Sequence, residues 1–314
     1  MKMSDTSAIV GDEPKTFWTK LLTSTPVVMT VISTLLAGLS TSEMSRAQYD
    51  RSMAAQQQSL VGDQWGYFQA KKLRSATLKT SLEMLEATSE VHALTKETLA
   101  SALGPSAAQD SNAQLTLDAL ATGKLPHYEG KPLQNAAVQK ALDALVAERP
   151  EEEIQSLVAQ ISPSALIKDI NLATENTHGF DHLMAPILAQ AEKWKAEIYA
   201  RRDQPLVYPK GLPFAPSGLS AAWFRLEAAR YDQDSRYNST EAHLKELLVR
   251  VSNLHAERHH LRSKWFFFGM LASQLAVILA TFALALKRRS VVWSVAAALG
   301  LAAVAFGVYV YGWV

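Results

Sequence analysis

His178 and His182 stand four residues apart with Asp181 between them, so one helical turn could offer two imidazoles and a carboxylate to a metal ion. Gly179 weakens a helix there and no H-E-x-x-H pattern is present, so this trio is a weak candidate and no metal is expected. His255, His259 and His260 sit beside Arg258 and Arg262, just ahead of a hydrophobic stretch. A solvated face, or one turned to lipid headgroups, explains them better than a metal site. Pro150 followed by Glu151, Glu152 and Glu153 reads as a helix start, with proline in the first turn and acids against the positive end of the dipole. Phosphate loops of the form G-x-x-x-x-G-K-[ST], the G-x-G-x-x-G fingerprint and the G-x-S-x-G elbow are all missing from the sequence. Cysteine is absent too, which removes disulfides, thiolate nucleophiles and cysteine zinc sites. No catalytic residue and no cofactor is expected. With 31 basic against 30 acidic residues, the chain has no basic footprint for nucleic acid.

The elements that would position these residues begin with three uncharged stretches. A span needs about 20 apolar residues, because a helix rises about 1.5 Å per residue across roughly 30 Å of hydrocarbon. Residues 21–42, 265–286 and 290–313 reach that length, and Lys287, Arg288 and Arg289 form a basic turn between the last two. A short basic loop belongs on the cytoplasmic side, which puts the N-terminus inside and the central region outside. A cleaved signal peptide is the competing reading of the first stretch. Trp18, Trp265, Trp293 and Trp313 fall at expected interfaces. Thr30, Thr34, Gly38 and Ser42, and the pairs Ala296/Gly300 and Ala303/Gly307, are small-residue packing patterns, and Gln274 should face another helix rather than lipid.

Residues 43–103 read as one stalk helix with no interior proline. A second, 219–264, carries an unbroken three-four repeat: Trp223, Leu226, Arg230, Gln233, Tyr237, Thr240, Leu244, Leu247, Val251, Leu254, Arg258, Leu261, Trp265. That is the seam of a coiled coil, and it runs straight into the second span. Between the stalks, residues 104–218 form a helical head: Gly104 and Pro105 end the first stalk, helices follow near 133–147, 151–161 and 163–202, and Pro205, Pro209, Pro213 and Pro216 make a stiff return. Leu183, Ile187, Trp194 and Ile198 share one face of the last head helix. The expected fold is all-α, an integral membrane protein with three transmembrane helices after an N-terminal tail at 1–20, a long antiparallel coiled-coil stalk and a small head.

The run Asp63-Gln64-Trp65-Gly66-Tyr67-Phe68-Gln69-Ala70-Lys71 resembles the motif of DUF4337, a bacterial family of short membrane proteins. In that family an N-terminal span leads into a helix bearing D-Q-W-x-Y/F-Y/F-Q-A-K, with hydrophobic helices at the C-terminus. The resemblance covers about Leu21 to Leu85 and, more loosely, Glu241 to Val314, leaving the head unplaced. It transfers no activity. Trp65 and Phe68 should pack into the stalk, with Asp63, Gln64, Gln69 and Lys71 free to make polar contacts between helices or subunits; Leu244, Leu247, Val251 and Leu254 complete the expected interaction surface.

The functional expectation is a non-enzymatic scaffold or interaction protein of the cell envelope, multi-pass in a bacterial inner membrane. Its partners would be the lipid bilayer and further helices, including copies of itself. Two other classes stand beside it. A subunit of an oligomeric channel or transporter would draw its pore lining from several chains, and a membrane-tethered metal enzyme would use His178, Asp181 and His182.

Overall fold

The structure is a computed structural model that describes residues 17–92, 94–103, 111–200, 216–285 and 291–313. In chain order the helices are α1 (Phe17–Thr88), α2 (Lys96–Leu103), α3 (Ser111–Thr122), α4 (Ala136–Val146), α5 (Glu151–Val158), α6 (Pro163–Ala200), α7 (Pro216–Ala285) and α8 (Val291–Trp313). The described residues contain no strand, so the fold is all-α. Helices α1, α7 and α8 are each long and apolar enough to cross a membrane. The chain divides into two compact units, one ending at Met53 and resuming at Ser252, the other Ala54–Val251. The division falls inside α1 and α7 rather than between the expected stalk and head.

In the first unit α1 and α7 run antiparallel. Ser273 donates to the Met29 carbonyl at 3.0 Å, and Ser40 and Ser263 each donate to the other's carbonyl at 2.9 and 2.8 Å. The buried positions of α7 here are Ala256, Ser263, Phe266, Gly269, Ser273, Ala276, Ala280 and Ala283. Their spacing is helical and nearly all are small, which lets backbones approach and replaces side-chain interdigitation with close dispersion contact. Helix α8 follows the same rule: Gly300 lies directly against Met29, and a Cβ on Gly307 would come within 2.9 Å of Leu36. The pairs Ala296/Gly300 and Ala303/Gly307 thus serve contact within the chain.

Other expectations for this unit are corrected. Thr30, Thr34, Gly38 and Ser42 face outward, with the Thr30 and Thr34 hydroxyls bonded back to carbonyls four residues earlier. Gln274 is exposed, because the packed stripe runs through its neighbour Ser273. Leu261 and Trp265, the last members of the expected seam, are 44% and 38% exposed. Trp293 donates to Thr25 at 3.2 Å.

In the second unit the same two helices again run antiparallel, joined by Gln64–Asn238, Ser75 to the Ala228 carbonyl, and Arg225–Glu86. Every seventh residue of α7 is small and buried: Ala221, Ala228, Ser235, Ala242 and Val249. The principal core lies among α2, α3, α6 and α7, where Leu99, Leu117, Phe180, Met184 and Trp194 pack with Leu226, and Trp223 and Tyr237 close its edge. Trp223, Leu226 and Tyr237 of the expected seam therefore serve the head helices. Ile187, Trp194 and Ile198 are buried on α6 as expected, with Leu183 at the margin.

Local chemistry explains the boundaries. The first stalk helix stops at Thr88 rather than continuing to 103. Helix α2 starts afresh because Thr95 and Thr98 exchange bonds, Thr98 N–H to Thr95 Oγ1 at 3.2 Å and Thr95 N–H to Thr98 Oγ1 at 3.0 Å, a reciprocal cap. The intervening strap passes so close to α7 that a Cβ on Gly218 would meet the His92 carbonyl at 2.6 Å, so only glycine fits. Helix α3 is not among the head helices expected from the sequence. Asn135 caps α4 through the Ala137 and Val138 N–H groups, and the fully buried Asp169 of α6 accepts from the Gln134 and Asn135 N–H groups, fixing the loop before it. Pro150 is the N-cap of α5, one position ahead of the expected first turn, and Glu151, Glu152 and Glu153 occupy that turn. The Gly104–Pro105 stop, the prolines at 205, 209 and 213, and the basic turn 287–289 lie outside the described residues.

Candidate functional site

Gln64 and Lys71, seven residues apart on α1, point into the second unit and meet a polar row on α7. Gln64 donates to Asn238 Oδ1 at 2.9 Å and accepts from Lys245 Nζ at 3.0 Å. Lys245 also pairs with Glu241 at 2.7 Å, and Asn238 donates to the Asp234 carbonyl at 2.7 Å. Lys71 pairs with Asp234 at 2.7 Å, its ammonium 5.6 Å from the centre of the Tyr231 ring. The Asp234 side chain is only 1% exposed. Arg230 Nε stands 3.9 Å from Asp234 and Arg230 Nη2 stands 3.9 Å from Asp181, too far for direct hydrogen bonds.

A ladder of this kind contributes little net stability against an apolar replacement, since two desolvated charges nearly cancel their attraction. Its value is register: sliding α1 along α7 by one helical turn would part Lys71 from the buried Asp234. At its outer rim Lys72 binds Asp232 at 2.9 Å, and that hydrogen bond, with Lys79 and Arg236 nearby, holds the Asp232 carboxyl below its ordinary range. Glu151 bonds Arg250 at 2.6 Å, which likewise lowers the Glu151 carboxyl and puts the acidic run to structural use.

Trp65 packs beside Ala54, Val61 and Val249 and meets Phe68 and His243 edge to face at 5.3 and 4.9 Å. His243 Nδ1 lies 2.7 Å from the Ser239 carbonyl, so that nitrogen carries the proton. Beside it a groove of about 430 Å³ is lined by Phe68, Lys72, Leu142, Arg236, Ser239 and His243.

The motif therefore splits. Gln64, Trp65, Phe68 and Lys71 turn inward, whereas Asp63 and Gln69 are exposed and join no helix contact among the described residues. The geometry is that of a helix-pairing cassette. Residues 22–116 match the family model of DUF4337, a domain of unknown function. The DUF4337 match covers α1 from near its start, all of α2 and the beginning of α3, so it runs past Gly104 and into the region that the motif resemblance left unplaced. The looser likeness of Glu241–Val314 lies outside it. No curated protein and no solved structure matched the chain.

Of the other sequence candidates, Leu244, Leu247 and Val251 are buried on α7, and Leu254 is half-buried. His178 and His182 are exposed, while Asp181 turns toward Arg230; among the described residues no group of three His, Asp or Glu side chains could hold a metal. His259 is not on an outward face: its Nδ1 lies 2.6 Å from Glu43 and its Nε2 3.9 Å from Asp50. Asp234, Asn238, Glu241 and Lys245 were missed because an apolar repeat was sought. Their own three-four spacing, beside a small residue every seventh position, was the available signal.

Proposed function

We propose that this protein is a non-enzymatic, membrane-anchored helical scaffold of the bacterial envelope. In this reading the first unit sits in the bilayer, with the N-terminus cytoplasmic and the central region outside. The observation that carries it is the direction of the apolar side chains in that unit. Val27, Val31 and Leu35 on α1, Ile278 and Phe282 on α7, and Leu301 and Val308 on α8 all point outward, each more than half exposed, while Ser33, Ser263, Ser273, Gly300 and Gly307 are turned inward. In water that distribution would expose a large contiguous apolar surface; in lipid it is the favourable one. The register-fixing ladder of the second unit suits a body that holds a set geometry for partner helices, including copies of the same chain.

Carbonate extraction of membranes from expressing cells provides the first test, the chain being expected in the pellet; recovery in the supernatant would sink the anchoring. Because the sequence has no cysteine, single cysteines at Ser106 and at Ser290 can then be labelled in intact cells with a membrane-impermeant thiol reagent. Labelling of Ser106→Cys alone supports the stated orientation, and labelling of Ser290→Cys alone inverts it.

A further inference from the structure

In the first unit the charges next to the apolar helices are sorted by sign. The acids of α1, Glu43 and Asp50, are turned inward, where His259 lies between them. The bases of α7, Arg258, Arg262 and Lys264, have no ion-pair partner among the described residues, and Arg258 and Lys264 are exposed. Arg262 Nε and His260 Nδ1 are shielded from solvent yet lack any hydrogen-bond partner among those residues. Glu257 is the only acid on α7 from Ser252 to Ala285. Immediately beyond the bases, Trp265, Phe267 and Phe268 are 38%, 46% and 46% exposed.

We propose that this collar binds the phosphodiester headgroups of anionic phospholipids. Guanidinium and ammonium groups supply the donors that match a phosphate, their stems lie along the apolar surface, and the aromatic rings seat at the headgroup level. The inference rests on the membrane reading above and adds a lipid preference to it.

The test uses the full chain in phosphatidylcholine bilayers containing a trace of spin-labelled phosphatidylglycerol or spin-labelled phosphatidylcholine. Electron spin resonance then reports the fraction of each lipid immobilised on the protein. Phosphatidylglycerol should be favoured by roughly fivefold or more, the scale of a single cation at a charged surface. The preference should fall toward unity in the variant Arg258→Gln/Arg262→Gln/Lys264→Gln and persist in Arg258→Lys/Arg262→Lys. Equal immobilisation of the two lipids, or a preference that the glutamine variant keeps, overturns the proposal while leaving the membrane reading standing. Absence of an immobilised component for either lipid removes both. If the glutamine variant does not fold, salt titration of the native chain decides, since a headgroup preference that 1 M salt leaves unchanged is not electrostatic.

Discussion

Asp234 is only 1% exposed and Lys71 23%, so removing Lys71 leaves a buried carboxylate without its closest cation. Lys71→Met is expected to cost about 3 kcal/mol in a denaturant titration of the detergent-solubilised chain, tempered by Arg230 near Asp234. Lys71→Met with Asp234→Leu should recover most of that loss; a double variant no more stable than the single one would mean the pair is a net stabiliser. The rim pair behaves differently with pH. Asp232 is depressed chiefly by its hydrogen bond from Lys72, so its contribution is complete above the ordinary carboxylate value and is lost as pH falls through the lowered folded value. Asp232→Asn should therefore lower stability at pH 7 and remove part of the acid-side decline below about pH 4. Lys72 is 59% exposed, so screening keeps the effect under about 1 kcal/mol.

On α7 the residues that meet α1 are mostly small, Ala228 against Ser75, Ser263 against Ser40 and Ser273 against Met29. Ala242 has no exposed surface, whereas Leu261, a member of the apolar repeat, is 44% exposed. Ala242→Leu is expected to destabilise by about 1–3 kcal/mol through overpacking, and Leu261→Ala by under about 0.5 kcal/mol. The reverse ranking in a thermal-melt series would restore the apolar repeat as the contact face. For the antiparallel register of the first unit, the Ser40 and Ser263 hydroxyls are 3.3 Å apart, so the pair Ser40→Cys/Ser263→Cys should form a disulfide on mild oxidation, read as a mobility change on a non-reducing gel. Pairing Ser40→Cys with a cysteine at Leu261, which faces outward, should give none.

At the scale of the whole molecule, the two compact units differ in what they leave outside. The one reaching Met53 and resuming at Ser252 buries Ser263, Ser273, Gly300 and Gly307 and leaves Val27, Leu35, Phe282 and Leu301 outward, while Ala54–Val251 encloses leucines, aromatics and a polar ladder. That contrast is what a change of solvent from lipid to water demands. Proteolysis of the chain in bilayers is expected to spare α7 between Trp265 and Ala285, whereas the same treatment in water would aggregate it; equal solubility with and without lipid would contradict the outward apolar face.

Span length, absence of charge and helix starts are properties of contiguous residues, so the all-α class, the three long apolar helices, the helix start near Pro150, and the inward side of Trp65 and Phe68 were legible in sequence. Which face of each helix is buried was not. The residues of α7 from Trp223 to Trp265 contain a bulky three-four stripe and, interleaved with it, a small residue every seventh position, and sequence periodicity favours the bulky stripe because it is more hydrophobic. Only the tertiary fold decides between them. In the second unit Trp223, Leu226 and Tyr237 of the bulky stripe pack on the head helices, α1 meets small residues such as Ala228, and small residues are again buried on α7 in the first unit. The physical reason is that close backbone approach and paired polar groups reward small and hydrophilic side chains, which no scale of hydrophobicity registers. The partner of Lys71 and the inward turn of His259 depend likewise on residues more than 150 positions away, and only the folded chain brings them together.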